Sequence, residues 1–563
     1  MQLHLRTLLS SAVVTALAYM PNAYAGTDTW FTPLTESAPV TAPNSYEEIN
    51  APWVAPGDIH FKNLINMRTI EDEIAGKGQS VVRSLNSGRS ASMFDMIAYS
   101  DDGRYLFIPH ETPWGAGASR YDMWSGKNMV IFQGDGEGEM CQFFEPEEPR
   151  DPTDTCPYWK ADYAAFDPAR FTPNGTVFLG EEWSGEGRIM EILNPLADPE
   201  EIEYRELNSI ANVAHEGINF SKKYSDTIYY IDEWRSGSIY KFVMKTPGDY
   251  TVGQTFVLVV DDFVANGGTP EDYYNEGNNL LIRTGMATWV PITDVDGNYT
   301  TAIDPFRNGP TNDPRTEDDT RGGRPAADEV NGTPFGRPED MEVGMLNGNE
   351  VIYFTATSEN SVYAVEMLED NKANVKLFAT GLDDFGATPT NLGHAPTTGS
   401  LNSPDNLAQD ALGNIYIIED APNGSDTGGD IWLARDADND GVAESLDHFL
   451  SIRVDGSEAT GMIFNPAKPT EFVVAVQHPD STSLGNPNAV VVTDPATGEP
   501  AASGQCAEFI SDEEYVLAPC AGGYGDAVWK FKLDNIENQA FVKRLKWTQL
   551  VSKLRTTYSR YSR

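Results

Sequence analysis

Six times along this chain a turn is followed by a run of β-formers: Asp101-Asp-Gly-Arg-Tyr-Leu-Phe-Ile, Thr172-Pro-Asn-Gly-Thr-Val-Phe-Leu, Ser225-Asp-Thr-Ile-Tyr-Tyr-Ile, Asn347-Gly-Asn-Glu-Val-Ile-Tyr-Phe, Leu412-Gly-Asn-Ile-Tyr-Ile-Ile and Lys468-Pro-Thr-Glu-Phe-Val-Val-Ala-Val. Several continue through a Ser/Gly turn into another strand, as in Arg235-Ser-Gly-Ser-Ile-Tyr-Lys-Phe242 and Glu359-Asn-Ser-Val-Tyr-Ala-Val365, which is hairpin grammar. Helical periodicity is scarce. Units of roughly 50 to 70 residues built from short strands predict an all-β fold, a six-bladed β-propeller with loop insertions, because a four-stranded blade buries its faces only against its neighbours. A set of β-sandwich domains is the competing architecture.

The runs also end in acids: Phe178-Leu-Gly-Glu-Glu182, Tyr229-Tyr-Ile-Asp-Glu233 and Ile415-Tyr-Ile-Ile-Glu-Asp420, with His110-Glu111 closing the first in the same manner. A partner phrase precedes several of them: His215-Glu-Gly217, Arg337-Pro-Glu-Asp340, Ser403-Pro-Asp-Asn406 and Ala459-Thr-Gly461. The innermost strand of every blade lines the channel, so a polar group at one point in several blades converges on the axis. Clustered carboxylates are costly to bury uncompensated, and multivalent cations are their natural partners. Calcium takes six to eight oxygens from Asp, Glu and Asn, whereas iron or zinc favours His, Cys or a few carboxylates.

Composition agrees. The 85 acidic against 39 basic residues give a formal net charge of −46, which repels nucleic acid and attracts cations. Residues 1–25 read as an export signal: a weakly basic start, an apolar run from Leu8 to Met20, and Ala23-Tyr-Ala25 as the cleavage site. No later stretch approaches the length of a membrane span. An exported, monomeric protein is expected, periplasmic or extracellular, with Cys141–Cys156 and Cys506–Cys520 as local disulfides.

The phrases His215-Glu-Gly217, Arg337-Pro-Glu-Asp340, Ser403-Pro-Asp-Asn-Leu407 with Gly413-Asn-Ile-Tyr-Ile-Ile-Glu-Asp420, and Thr460-Gly-Met-Ile-Phe-Asn-Pro466 with Gln477-His-Pro479 resemble the PhoX family across about residues 60 to 535. Its members are secreted bacterial alkaline phosphatases, six-bladed propellers that carry iron and calcium. The resemblance implies a phosphatase acting on small phosphate monoesters, with Glu182, Glu216 and Glu339 as metal ligands and Arg337 on the phosphate. Arginine suits that task because its planar fork binds two oxygens at once. Asp405, Asn406, Glu419 and Asp420 would be further oxygen ligands, with calcium as guest. The chain departs from the family at the iron-binding cysteine: the corresponding stretch is Ala161-Asp-Tyr-Ala-Ala-Phe-Asp-Pro168, and Gly180 stands before Glu-Glu. Loss of a soft anionic ligand weakens an iron site and leaves oxygen-based calcium sites intact.

Asp436-Ala-Asp-Asn-Asp-Gly441 has the spacing of the first half of an EF-hand loop, with Asp436, Asp438 and Asp440 as ligands and Asp447 at the twelfth position; a peripheral calcium site is expected there. The stretch from about 245 to 336 reads as an insertion that roofs the channel or stays mobile. The propeller is expected over 26–535 and a disordered basic tail over 536–563, the last 21 residues holding seven basic side chains and no acid. Alternatives on the same scaffold are a calcium-dependent lactonase or esterase, and a non-catalytic calcium-binding propeller. Neither a Gly-x-Ser-x-Gly elbow nor a Gly-rich nucleotide loop is present.

Overall fold

Alternation along the strands buries both faces of nearly every sheet, and the fold follows from how those faces find partners. The computed structural model describes residues 30–40, 51–73, 94–134, 163–270, 283–306, 322–422, 425–477, 505–519 and 526–548, apart from a few internal positions. Two N-terminal strands, β1 (Trp53–Val54) and β2 (His60–Asn66), precede the first blade, formed by β3 (Ala98–Tyr99), β4 (Tyr105–His110), β5 (Gly117–Asp122) and β6 (Lys127–Gln133). The second blade is β7 (Phe166–Phe171), β8 (Val177–Glu181), β9 (Ile189–Ile192) and β10 (Tyr204–Glu206); the third is β11 (His215–Phe220), β12 (Thr227–Asp232), β13 (Ile239–Met244) and β14 (Gly253–Val260). After β15 (Gly285–Pro291), the fourth comprises β16 (Pro338–Leu346), β17 (Asn349–Ala356), β18 (Ser361–Met367) and β19 (Lys372–Thr380). The fifth comprises β20 (Pro404–Gln409), β21 (Ile415–Glu419), β22 (Gly429–Arg435) and β23 (Ser445–Ile452). The sixth uses β24 (Glu458–Phe464) and β25 (Glu471–Gln477), then a separate hairpin of β26 (Gln505–Ser511) and β27 (Glu514–Pro519), and last β28 (Ala527–Lys532).

The propeller expected from the sequence is what forms. Each blade is an antiparallel meander, and the N-terminal β2 completes the sixth by pairing with β28, so the two ends of the chain close the ring. Strand β1 adds to the edge of the fifth blade, and β15 pairs with both β14 and β19, zipping the third and fourth blades into one nine-stranded sheet. The stretch read as an insertion is therefore woven into the sheets at β14 and β15.

The cores lie between blades. Phe107 and Ala118 meet Phe166 and Leu179, and Phe178 meets Ile218 and Tyr230. Leu258 meets Ile352, Tyr353 meets Trp432, Ile418 meets Phe472, and Val473 closes the circle against Leu106. Burial of both faces excludes a sandwich with one wetted side.

The described part of the C-terminal segment departs from the expected disordered tail, while residues 549–563 lie outside the described residues. Residues 539–548 are helical, and Phe541, Val542 and Leu545 are buried, with the Phe541 ring stacked on Trp30 at 4.5 Å. Apolar residues at i and i+4 give this short basic helix a core-facing stripe. The signal segment lies outside the described residues, as do Cys141, Cys156 and Cys520 and the side chain of Cys506; no disulfide is found among the described residues.

Candidate metal centre

One register defect, repeated blade after blade, builds the site. The pairing of the innermost strand with its neighbour slips between Phe166 and Ala169 in β7, His215 and Ile218 in β11, Pro338 and Met341 in β16, Pro404 and Leu407 in β20, and Ala459 and Met462 in β24. A bulge re-aims the side chains it carries. The residue just inside each bulge is Asp167, Glu216, Glu339, Asp405 or Thr460. Two bulges carry glycine at the next position for a steric reason: a Cβ at Gly217 would stand 2.8 Å from the Glu339 carbonyl oxygen, and one at Gly461 2.4 Å from that of Asp95. Neighbouring innermost strands thus pack backbone against backbone around the axis. Asp95, three residues ahead of β3, supplies the first blade's acid.

In the second, third and fifth blades the second strand ends in two residues with opposite duties. Its last residue stays within the blade. Glu181 is held by Arg188 at 2.6 and 2.9 Å, and Asp232 by Arg324 at 2.8 and 2.6 Å. Glu419 accepts from Trp432 Nε1 at 2.9 Å and from the amides of Asn402 and Asp430. The following residue, one step round the alternation, turns to the axis: Glu111, Glu182, Glu233 and Asp420.

These acids converge. Asp95, Glu111 and Asp167 form one group whose carboxylate oxygens lie within 4.8 Å of one another; Glu182, Glu216 and Glu233 form a second. Glu216, Glu339 and Asp405 form a third, and Asp405, Asp420 and Glu458 a fourth. Amides tie the groups together: Asn406 Nδ2 donates to Asp95 at 3.2 Å, and Gln477 Nε2 donates to Asp95 at 2.6 Å and to Glu111 at 2.8 Å. Burial, and after it the neighbouring carboxylates, pushes Asp95, Glu111, Asp167, Glu216 and Asp405 well above the usual carboxylate range. Burial raises Glu339 to about 7, against the pull of Arg337.

The donor set fits cations. Asp167 Oδ1, Glu339 Oε2, Asp405 Oδ1 and Asn406 Oδ1 are buried oxygens without a hydrogen-bond partner, the signature of atoms awaiting a ligand. Every member of the four groups is a carboxylate, with no thiolate or imidazole among them. Asp167 stands in the very stretch where the family resemblance lacks its cysteine, so an oxygen donor faces the axis there.

Arg337 is the cation at the rim. Its Nε donates to Glu233 at 2.5 Å and lies 3.0 Å from Glu339, while its terminal nitrogen is 3.7 Å from Asp420. Its side chain keeps 33% of its surface exposed. The surrounding carboxylates, Glu339 first, hold it firmly protonated. Its backbone sits at φ +59°, a left-handed conformation costly for a β-carbon residue, and is pinned by Thr357 N donating to its carbonyl at 3.0 Å.

Among the residues expected at the centre, Glu182, Glu216, Glu339, Asp405, Asn406, Asp420 and Arg337 come together here. Glu419 lies in the blade instead. His215 is buried against Gly180, its ring 5.5 Å from Tyr230, and burial drives its pKa down to about 3, so it is a neutral packing residue beside Glu216. At the expected peripheral loop, Asp436 and Asp438 group with Glu444, while Asp440 caps the turn by accepting from Val442 N at 2.8 Å. Asp436 is itself occupied by the amides of Asp440 and Gly441 at 2.9 and 2.8 Å. Asp447, the expected twelfth position, is buried in β23 and paired with Arg435 at 3.0 Å. Asp95, Glu111, Asp167, Glu233 and Glu458 are members that sequence reasoning did not commit to. The innermost-strand acid stands ten or eleven residues before the second strand in each of the first five blades, a spacing that would have found Asp95 and Asp167.

A β-propeller whose axis, among the described residues, is lined by clustered carboxylates and Arg337 is thus the class of protein in hand. The sequence matches the family model for alkaline phosphatase PhoX over residues 112–480, and the chain belongs to that family. Among solved structures it is similar to Pseudomonas fluorescens PhoX in complex with vanadate, a transition state analogue, at 13% identity and a TM-score of 0.53, covering 91% of this chain and 100% of that one. A gluconolactonase from Xanthomonas campestris matches at 9% identity and a TM-score of 0.36, over 88% of this chain and 97% of that one. No curated protein matches the sequence.

Proposed function

We propose that this protein is a metal-dependent phosphatase that hydrolyses phosphate monoesters with a cation cluster held in the propeller channel. The observation that carries the reading is the convergence of ten carboxylates and Arg337 on one axis, in a chain of the alkaline phosphatase PhoX family. Glu182, Glu216, Glu339 and Asp405 would hold the ions, with Asp95, Glu111, Asp167, Glu233, Asp420 and Glu458 completing the shells. An all-oxygen set favours calcium, and iron is the weaker candidate without a soft donor. Bound ions supply Lewis acidity toward the phosphoryl oxygens.

The chain's own residues do the rest. Arg337 reaches two phosphoryl oxygens with its fork and stabilises the charge that builds on them during in-line displacement. The αL backbone and the contacts to Glu233 and Glu339 fix that fork before the ester arrives, so little reorganisation is needed at the moment of reaction. Asn406 and Gln477 hold the Asp95 and Glu111 carboxylates in place through their amide donors. Thr357 Oγ1 orients Glu339 at 2.7 Å. No helix among the described residues is long and apolar enough to cross a membrane; export through the N-terminal signal and a monomeric state complete the proposal. Hydrolysis of an aryl phosphate at alkaline pH tests it: turnover should vanish on chelation and return with calcium, and an unchanged rate in chelator would refute it.

A further inference from the structure

The ring of acids has a gap, and the gap has a fixed address. Pairing registers make the positions comparable. Phe166 pairs with Glu181, His215 with Asp232, Pro338 with Ala356 and Pro404 with Glu419. The residue after each of those partners is the one that turns to the axis, and in order these are Glu182, Glu233, Thr357 and Asp420. The first blade offers Glu111 after β4 in the same way. Among these the fourth blade puts a neutral threonine where the others put a carboxylate; in the sixth, Ala459 pairs with Val476 and the next residue is Gln477, whose amide is spent on Asp95 and Glu111. The Thr357 hydroxyl is spent locally, donating to Glu339 at 2.7 Å and lying 3.0 Å from the Pro404 carbonyl oxygen.

Arg337 lies beside this threonine, the two reaching the same Glu339 oxygen at 3.0 and 2.7 Å. Its guanidinium leans from the fourth blade toward Glu233 of the third, at 2.5 Å, and toward Asp420 of the fifth, at 3.7 Å. At the matching positions of the first, second, third and fifth blades an approaching anion meets a carboxylate; at the fourth it meets a guanidinium with a third of its surface open. A carboxylate at position 357 would pair with Arg337 and repel a phosphoryl group across a few ångströms.

We propose that Thr357 is a specificity-determining residue: by withholding a second carboxylate beside Glu339 it reserves the place between Glu233 and Asp420, on Arg337, for the anionic phosphoryl group. This rests on the phosphatase reading above. The channel is therefore polar in two senses, with cations held among the clustered acids and the anion admitted at the fourth blade, where Arg337 stands beside a neutral residue.

The test compares Thr357→Asp with Thr357→Asn in the holoprotein, since the two side chains share a shape and differ in charge. Inhibition of aryl phosphate turnover by inorganic phosphate gives Ki, and elemental analysis gives the metal content of each variant. Thr357→Asn should keep Ki within about threefold of wild type, while Thr357→Asp raises it about tenfold or more at the same metal content. Equal Ki values for the two variants would overturn the proposal, as would an aspartate variant that gains an ion and still binds phosphate as wild type does. Thr357→Glu repeats the comparison should the aspartate variant fail to fold. The phosphatase reading fails separately, in a wild-type protein that neither turns over the ester nor binds phosphate.

Discussion

Arg337→Ala should cut turnover by about a hundred- to a thousandfold and at the same time tighten calcium binding. The side chain sits 2.5 Å from Glu233 and 3.0 Å from Glu339, so it competes with the cations for the same carboxylates. A guanidinium about 6 Å from a divalent ion opposes it by about 5 kcal/mol at an effective dielectric of about 20. One third of the side chain is exposed, and screening reduces the repulsion to about 1–2 kcal/mol, or about tenfold in affinity. Loss of a donor aimed at developing phosphoryl charge costs about 3–4 kcal/mol, hence about a hundred- to a thousandfold in kcat. Arg337→Lys keeps the charge without the fork and should recover part of the rate. Arg337→Asn tolerates the left-handed backbone and serves as the folding control. Calcium titration calorimetry beside aryl phosphate kinetics reads both effects. A variant that loses its calcium together with its activity would make Arg337 a scaffold residue and refute the reasoning.

Asp405 belongs to two of the acidic groups, so Asp405→Asn should lower the bound-metal count by at least one and kcat by about a hundredfold or more, read by elemental analysis and kinetics; full metal occupancy in the variant would contradict the shared-ligand geometry. In the metal-stripped protein the raised ring carboxylates together set the sign of the pH effect, and Glu339, whose folded pKa near 7 stands above its ordinary 4.5, gives the scale of one of them. The folded state then binds the proton more tightly than the unfolded chain, so stability is greatest below about pH 4.5 and falls by about 3 kcal/mol as pH rises to about 7. Denaturant melts of stripped protein at pH 5 and pH 8 check this, and equal stability at the two would count against a crowded ring. Arg188→Ala leaves Glu181 buried without its partner and should cost about 3–5 kcal/mol, most of it recovered in Arg188→Met with Glu181→Gln; a loss under about 1 kcal/mol would show that the pair is not what secures that blade.

Much of this fold is legible in one sequence because its repeat is physical. A turn and a β-rich run recur at each blade, most of them closed by an acid, and together with their partner phrases they point to Glu182, Glu216, Glu339, Asp405 and Asp420, which the fold brings together. Alternation explains the miss at Glu419: adjacent acids at a strand end point opposite ways, and sequence gives no phase until the pairing of Pro404 with Glu419 is known. Asp167 was hidden because its stretch was judged by the thiol it lacks rather than by the carboxylate it has. Asp95 precedes a strand of two residues, too short to carry a pattern. Glu458 stands one residue ahead of the phrase Ala459-Thr-Gly461, where the bulge shifts the axis-facing position. The EF-like spacing suggests a calcium loop, and Asp436 and Asp438 do group with Glu444, but Asp447 answers to Arg435, a contact set by pairing of β22 with β23. The helical C-terminal segment was invisible to charge counting, since Phe541 and Leu545 acquire meaning only against Trp30 and the fifth and sixth blades.

Long-wavelength anomalous diffraction from crystals of the protein grown with calcium tests the central claim most directly. The account predicts anomalous peaks inside the channel, between the oxygens of Glu216, Glu339 and Asp405 and of their neighbouring groups, with Arg337 facing them. Calcium peaks confined to the exterior, over a channel whose carboxylates hold none, would contradict it.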